Sequence, residues 1–80
     1  MLKYFMEFIL STSADESLQT LKDSLVEWSE TLEIAEIQDN SNLEGKNFKI
    51  HICTQDPTII FDTCARFGRI KSVKIDEQGR

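Results

Sequence analysis

The chain holds one histidine and two cysteines, which limits the catalytic and metal-binding chemistry it can perform. His51 lies in a segment where polar and apolar residues alternate, with Lys49 and Cys53 two positions away on either side. Alternate residues of a β-strand share a face, so we expect all three on the face opposite the core. Glu7 has the same outward position in an earlier alternating segment. If the two strands are neighbours in register, Glu7 and His51 form an acid–base pair, although such pairs on a sheet are more often simply exposed.

The two cysteines form no recognisable metal or redox motif. Cys53 and Cys64 are eleven residues apart, so neither belongs to a C-x-x-C pair, and we predict two small buried apolar groups. Ser11-Thr12-Ser13, which follows the first alternating segment, offers no thiol for copper and no arginine for a phosphoryl group. The sequence also lacks a P-loop and a nucleophile elbow. These absences predict a domain without enzyme activity, metal or cofactor.

Length and composition predict one small globular domain covering residues 1–80. Hydrophobic residues make up 40% of the chain and charged residues 29%, as in folded domains rather than disordered or fibrous chains. The apolar opening segment is interrupted by Glu7 and is much shorter than the roughly 20 residues of a membrane span. It also lacks the cleavage site of a signal peptide. We therefore expect a cytoplasmic protein with no membrane partner.

Charge is divided unevenly along the chain. Residues 1–44 carry ten acids and two lysines, a net charge of −8, whereas residues 45–80 carry seven bases and four acids, a net charge of +3. The total of −5 makes an acidic domain and disfavours a nucleic-acid partner, because binding to phosphates depends on an excess of Lys and Arg. The asymmetry fits an acidic solvent-facing helix, a charged partner, or self-association of opposite faces.

Hydrophobic periodicity predicts the first two elements. Alternation over Leu2–Leu10 indicates a strand whose even-numbered residues face the core. Ser13 and Glu16 have the spacing of a capping box, so we expect a helix from Ala14 to about Thr31. An apolar stripe at steps of three and four residues should be buried on one side of this helix. The stripe consists of Ala14, Leu18, Leu21, Leu25, Trp28 and Leu32.

Three further strands are predicted after the first helix. The first of them is short and charged enough for a sheet edge, the second alternates, and the third ends the domain. Their ranges are Glu33–Gln38, Phe48–Cys53 and Ile70–Asp76. Turn-forming residues at 39–42 and 44–47 indicate a hairpin loop between the first two. Val73 and Ile75 should face the core, and residues 77–80 should form a loose tail.

The second helix has signals at both ends. Asp56 suits the N-cap and Pro57 the first helical position, where no amide donor is lost. Gly68 should end the helix in the left-handed conformation. The apolar stripe between these signals consists of Ile60, Phe61, Cys64, Ala65 and Phe67.

The predicted order of elements is β-α-β-β-α-β, two βαβ halves joined by a hairpin. Right-handed crossovers then place both helices on one face of a four-stranded antiparallel sheet, with the first and third strands in the middle. This is the ferredoxin-like α+β sandwich. Enzymes, metal carriers, RNA-binding proteins and sensors all use it, so the topology alone assigns no function.

One segment resembles part of the RNA recognition motif family. Phe67-Gly68-Arg69-Ile70-Lys71-Ser72-Val73-Lys74-Ile75 is similar to that family's helix-to-strand junction, F-G-x-I-x-x-V, over nine of the 80 residues. The resemblance implies RNA binding through aromatic residues on the first and third strands. Here the junction precedes the last strand rather than the second. The corresponding positions offer Phe5 on the first strand, and Lys49, His51 and Cys53 on the third.

Two surfaces are candidates for binding. The first is the sheet face away from the helices, termed the open face, where apolar groups and charges of both signs are mixed as in protein-binding surfaces. Its candidate binding residues are Phe5, Glu7, Ile9, Lys49, His51 and Lys74. Its other expected members are Lys3, Glu36 and either Ile34 or Cys53. The second is the edge where the first strand ends, where hydroxyls, cations and a helix N-terminus would suit a phosphate or carboxylate. The candidates of this anion edge are Ser11, Thr12, Arg69 and Lys71.

The sequence therefore predicts a small non-catalytic domain that binds a protein partner, or a second copy of itself as a homodimer, through the open face. Two alternatives remain open. One is a dimeric enzyme with a cavity around His51 and Glu7, and the other is an RNA-binding domain that uses Phe5 and the basic C-terminal half. No motif identifies the partner.

Overall fold

A computed structural model of the chain describes residues 2–37 and 45–79. These residues form four strands, two α-helices and one short 3-10 turn. The elements are β1 (Leu2–Ser13), α1 (Leu18–Leu25), the 3-10 turn (Val26–Trp28), β2 (Thr31–Ile37), β3 (Gly45–Thr54), α2 (Pro57–Ala65) and β4 (Gly68–Gly79). The strands form one antiparallel sheet in the order β2-β3-β1-β4. The predicted α+β class and the central positions of β1 and β3 are confirmed. The predicted turn residues 39–42 and 44, together with Gln38, lie outside the described residues. The turn predicted at 45–47 is wrong, because these residues begin β3 and pair with β1.

The core lies on one face of the sheet because the even-numbered residues from Met6 to Leu10 in β1 and from Phe48 to Ile52 in β3 are apolar and point the same way. Both helices contribute side chains to this same cluster, so both cover that face. The aromatic ring of Phe8 lies 6.0 Å from that of Phe61 on α2. The buried cluster consists of Met6, Phe8, Leu10, Leu21, Leu25, Phe48, Ile50, Ile52, Ile60 and Cys64. The opposite face of the sheet is left without a covering layer of described residues.

The start of α1 differs from the prediction. Ser13 is the last residue of β1, where it pairs with Gly45, and Ala14 is exposed in the turn that follows. The N-cap is Ser17, whose hydroxyl accepts a hydrogen bond from the Thr20 amide at 3.2 Å. The capping box at Ser13 is wrong because pairing with the neighbouring strand keeps this residue extended. Local spacing alone could not reveal that competition.

The end of α1 also differs from the prediction. The helix ends at Leu25, and the 3-10 turn that follows changes the angular spacing of the side chains. Trp28 is consequently 43% exposed rather than buried. The amide of Glu30 donates to the carbonyl of Cys53 at 2.8 Å, which starts the pairing of β2 with β3. Leu32 therefore faces the core from a strand and not from the helix.

The prediction for the start of α2 is confirmed, and the prediction for its end is wrong. Asp56 caps the helix by accepting from the Ile59 amide at 3.3 Å, and Pro57 is the first helical residue, as predicted. Gly68 is wrong as a left-handed cap, because no glycine of the described chain has positive φ. It opens β4 instead, where a Cβ would overlap the carbonyl oxygen of Ser11. Glycine is therefore required there by the close approach of two strands.

An irregularity in β4 divides its register with β1. Glu7 pairs with Lys74 and Ile9 with Lys71, so β4 has one more residue than β1 between these pairs. Ser72 lies in this extra stretch with φ of 57°, a conformation uncommon for residues other than glycine. The geometry is that of a β-bulge, which adds one residue to one strand of a pair.

The last part of β4 is more ordered and less buried than predicted. Ile75 lies opposite Met6 on the helix-covered face, yet Val73 and Ile75 are each 43% exposed. Both sit on an edge strand outside the buried cluster. Residues 77–79 of the predicted loose tail are instead paired, since β4 continues to Gly79 opposite Leu2, and Arg80 lies outside the described residues. Neither helix of the described chain has the length and apolar character to cross a membrane.

Two residues of β2 lie on the face opposite to the expected one. Ile34 is opposite Ile50 and packs against the core, and Glu36 is opposite Phe48. Both positions therefore belong to the helix-covered side of the sheet. Cys53, the alternative to Ile34, lies on the open face opposite Phe5.

Candidate functional site on the open face

The register brings four titratable side chains into one row across the open face. Glu33, His51, Glu7 and Lys74 are consecutive partners on β2, β3, β1 and β4. His51 Nε2 lies 2.6 Å from Glu7 Oε1, and His51 Nδ1 lies 3.9 Å from Glu33 Oε2. Lys74 Nζ lies 3.9 Å from Glu7 Oε2. Acidic and basic groups thus alternate along the row, and Glu7 and His51 are in direct contact.

Hydrogen bonding favours the ionised form of Glu7. The bond from His51 lowers the pKa of the Glu7 carboxyl, and partial loss of hydration opposes this effect. The positive charges of Lys49 and Lys74 lower the pKa of Glu7 further. Glu7 is therefore an ionised acceptor at neutral pH and orients the imidazole beside it.

A shallow groove of about 360 Å³ surrounds this pair. Its lining includes one hydroxyl, that of Thr31, and no thiol. The His51 side chain is 46% exposed, so bulk water reaches both members of the pair. The geometry is that of two solvated side chains joined by a direct hydrogen bond.

The exposed aromatic residue of the open face lies on β1. Phe5 is 48% exposed, and Ile9, four residues further along the same strand, is half-buried. Cys53 is buried next to Phe5, with its thiol 4.0 Å from a carboxylate oxygen of Glu30. Cys64 is buried on the opposite side of the sheet, and both cysteines are free. The two thiols therefore pack as small apolar groups on different faces, and burial raises the pKa of Cys64 to about 12.

The structure divides the predicted anion edge between two faces. Ser11 and Arg69 are paired on the open face, and Lys71 is opposite Ile9 there. Thr12 is buried on the other side, and its hydroxyl donates to the carbonyl of the following residue at 3.0 Å. The Ser11 hydroxyl donates to Oδ1 of Asn47 at 2.6 Å. The helix start expected at Ser13 is wrong, since α1 begins only after Ser17.

The open face has two ends of opposite charge, which we term the acidic end and the basic end. The acidic end is the region of Phe5 and Glu7, where the carboxylates of Glu7, Glu33 and Asp76 outnumber the ammonium group of Lys74. The basic end is the region of Ile9 and Ser11, and its cations are Lys49, Arg69 and Lys71. The sequence alone did not reveal this division, because it depends on the register of four strands. The alternation of side chains along a strand predicts the face of the sheet on which each charge lies. It does not predict how far along that face the charge lies relative to the charges of the other strands.

Comparison with known proteins supplies the family. A family model described as the middle domain of FakA-like fatty acid kinase subunits matches residues 1–78. The chain belongs to this family. No curated protein and no solved structure matches it. This middle domain is thus a small α+β domain of a fatty acid kinase-like family. Within residues 2–37 and 45–79, no group of three or more His, Cys, Asp or Glu side chains is placed to hold a metal ion.

Proposed function

We propose that this middle domain has a non-catalytic role within a larger kinase-like protein and that it pairs its open face with a second copy of itself. The observation that carries the proposal is the exposure of Phe5 on a central strand of an uncovered sheet face. The family description supports the non-catalytic role, because it names a middle domain of a kinase component. The solvent exposure of the Glu7–His51 pair is consistent with this role.

Apolar contact would supply the binding energy. Phe5 and Ile9 are joined on the open face by Ala35 and Ile37 of β2, which lie opposite Lys49 and Asn47. An exposed aromatic ring surrounded by polar groups is typical of the centre of a protein interface. On a face-to-face partner, Phe5 would become buried, and the charges around it would form the rim.

Charge complementarity favours a second copy as the occupant. A two-fold axis in the plane of the open face and perpendicular to the strands reverses the strand direction of the partner. This arrangement places the acidic end of each copy over the basic end of the other. Such an interface is isologous, because each copy contributes the same surface. Opposite charges across the rim would select this orientation over the one that places like ends together.

The test compares two serine substitutions at exposed apolar positions. Phe5→Ser should abolish self-association in sedimentation velocity experiments, because it removes the central apolar anchor without disturbing the core. The matched control is Val26→Ser, since Val26 is 53% exposed on the 3-10 turn and lies outside the open face. Val26→Ser should associate as the wild type does. A wild type that stays monomeric at millimolar concentration would contradict the proposal.

Amide chemical shifts locate the contact independently. On dilution of the wild type, shifts should move at residues 3–9 and 49–53, where the open face is built from β1 and β3. Replacement of Lys49 and Lys74 together should alter the rate and salt dependence of association more than its strength, since rim charges mainly steer encounter. Shifts that move on the helices instead would place the contact elsewhere.

A further inference from the structure

The single tryptophan of the chain, Trp28, is exposed near the start of α2. Trp28 ends the 3-10 turn, and its side chain is 43% exposed. Its backbone is held in place, because its carbonyl accepts a hydrogen bond from the Thr54 hydroxyl at 2.7 Å. The same hydroxyl accepts from the Asp56 amide at 3.1 Å. The backbone that carries the indole is therefore fixed between the end of β3 and the start of α2.

Two grooves meet at this indole. Their volumes are about 330 Å³ and about 440 Å³, and both are lined by Glu27, Trp28 and Ile59. The first continues towards Asp56 at the N-terminus of α2, and the second continues along α2 to Asp62. An extended segment that crossed the indole would therefore have a concave surface on either side.

The charge around the indole is predominantly negative. The lining carboxylates are Glu27, Glu30, Asp56 and Asp62, and the one cation among the described lining residues is Arg66. Glu30 is engaged by Lys3 at 2.9 Å, and Asp56 caps α2. Glu27 and Asp62 take part in no ion pair of the described chain. These two carboxylates line the same groove as the exposed indole and are suited to a cationic side chain.

We propose that this surface, which we term the Trp28 groove and define by Glu27, Trp28, Ile59 and Asp62, binds a basic linear segment of a partner protein. A guanidinium or ammonium group lies over the indole, where the electron-rich ring attracts a cation. Glu27 and Asp62 pair with the flanking cations, and Ile59 contacts an apolar side chain between them. Arginine fits best, because its planar head group stacks on the ring while it donates to carboxylates. The groove shares no residue with the open face.

Fluorescence of Trp28 tests the proposal directly, because the chain has no other tryptophan. The probe is a short capped synthetic peptide of alternating arginine and leucine, added to the full chain at low salt. We expect a saturable change of emission whose midpoint moves to higher peptide concentration as salt is added. A control peptide with glutamate in place of arginine should leave the emission unchanged. Unchanged emission with the arginine peptide would overturn the proposal.

Matched variants separate this groove from general charge attraction. Glu27→Gln with Asp62→Asn should weaken peptide binding about tenfold, because two direct partners of the cations are lost. Asp15→Asn with Glu36→Gln changes the net charge equally at positions outside the groove and should bind as the wild type does. Equal weakening in both double variants would overturn the proposal. An emission change on concentrating the protein alone would also overturn it, by assigning the groove to a second copy.

Calorimetry with variants of Trp28 completes the test without the fluorescent reporter. Trp28→Ala should lose peptide binding, whereas Trp28→Phe should retain part of it because an aromatic face remains. Circular dichroism checks that both variants are folded, as the exposure of Trp28 leads us to expect. Binding of wild-type strength by Trp28→Ala would overturn the role of the indole.

Discussion

At the scale of single residues, the open face shows how a register turns isolated side chains into a network. His51 and Glu7 are far apart in the sequence, and their 2.6 Å contact follows from their pairing on neighbouring central strands. Lys74 approaches the same carboxylate from the other side at 3.9 Å. Each group is at least partly exposed, so the network lowers the pKa of Glu7 and orients His51 more than it stabilises the fold.

The titration of Glu7 tests this network. The folded chain lowers the pKa of Glu7 below its ordinary value of 4.5, mainly through the hydrogen bond from His51. Since this pKa is lower in the folded than in the unfolded chain, the stabilising contribution is complete above the unfolded value. It is lost as the pH falls through the folded value. Side-chain carboxyl NMR shifts should show His51→Gln raising the pKa of Glu7 more than Lys74→Gln does. An unchanged pKa in His51→Gln would refute the assignment.

At the scale of elements, helix ends and strand contacts compete for the same residues. Ser13 and Ser17 both have the chemistry of an N-cap. Ser13 pairs with Gly45 as the last residue of β1, so Ser17 caps the helix instead. Asp56 meets no such competition, because β3 ends at Thr54 before the helix begins. Local signals therefore predict α2 better than α1.

Replacement of either serine by alanine distinguishes the two possible starts of α1. Ser17→Ala should lower the free energy of unfolding by about 1 kcal/mol, because the Thr20 amide loses its acceptor. Asp56→Ala should cost a similar amount at α2. Ser13→Ala should change stability by less than about 0.5 kcal/mol, as at an ordinary exposed position. Urea denaturation measures the free energy of unfolding of all three variants. A larger loss in Ser13→Ala than in Ser17→Ala would show that the helix is capped at Ser13 after all.

Two positions in β4 should respond to substitution in opposite ways. Gly68→Ala should destabilise the domain by roughly 1–3 kcal/mol, because the new Cβ forces β4 away from Ser11. Ser72→Gly should be neutral or stabilising by up to about 1 kcal/mol, because it relieves a positive φ. Ser72→Val should destabilise, since β-branched residues avoid that conformation. Thermal denaturation gives the order, and equal stability of the Ser72 variants would contradict the bulge.

At the scale of the whole molecule, one face of the sheet packs against the helices and the other is exposed to solvent. Side chains from both helices pack with β1 and β3 on one side, and charged rows cover the other. The apolar groups outside the core lie mainly at three places, namely the open face, the 3-10 turn and the outer part of β4. The first two are the surfaces to which we assign partners.

Reactivity of Cys64 should report unfolding of the whole domain. Burial raises the pKa of its thiol to about 12, so at mildly alkaline pH the folded chain holds almost no reactive thiolate there. Labelling with an aromatic disulfide reagent in a Cys53→Ala variant should therefore proceed at a rate set by opening of the core. Urea should accelerate labelling in parallel with loss of circular dichroism. Fast labelling without denaturant would show that α2 opens separately.

The sequence alone determined those features that depend on neighbours along the chain. Alternation placed β1 and β3 and their core-facing residues, and the Asp56-Pro57 pair fixed the start of α2. The order of elements and the handedness of the crossovers then placed β1 and β3 at the centre of the sheet. These features follow because side-chain period and backbone capping are local properties.

Only the tertiary structure decided the features that require a register between distant strands. The end of β1 at Ser13, the exposure of Trp28 and the bulge at Ser72 all arise where strand pairing or packing overrides a local preference. Two further features also depend on the register. They are the row that contains Glu7 and His51, and the opposite charges at the two ends of the open face. A shift of one residue in pairing would move every side chain of a strand to the other face. Sequence patterns give each strand its two faces, and long-range hydrogen bonding decides which residues meet across them.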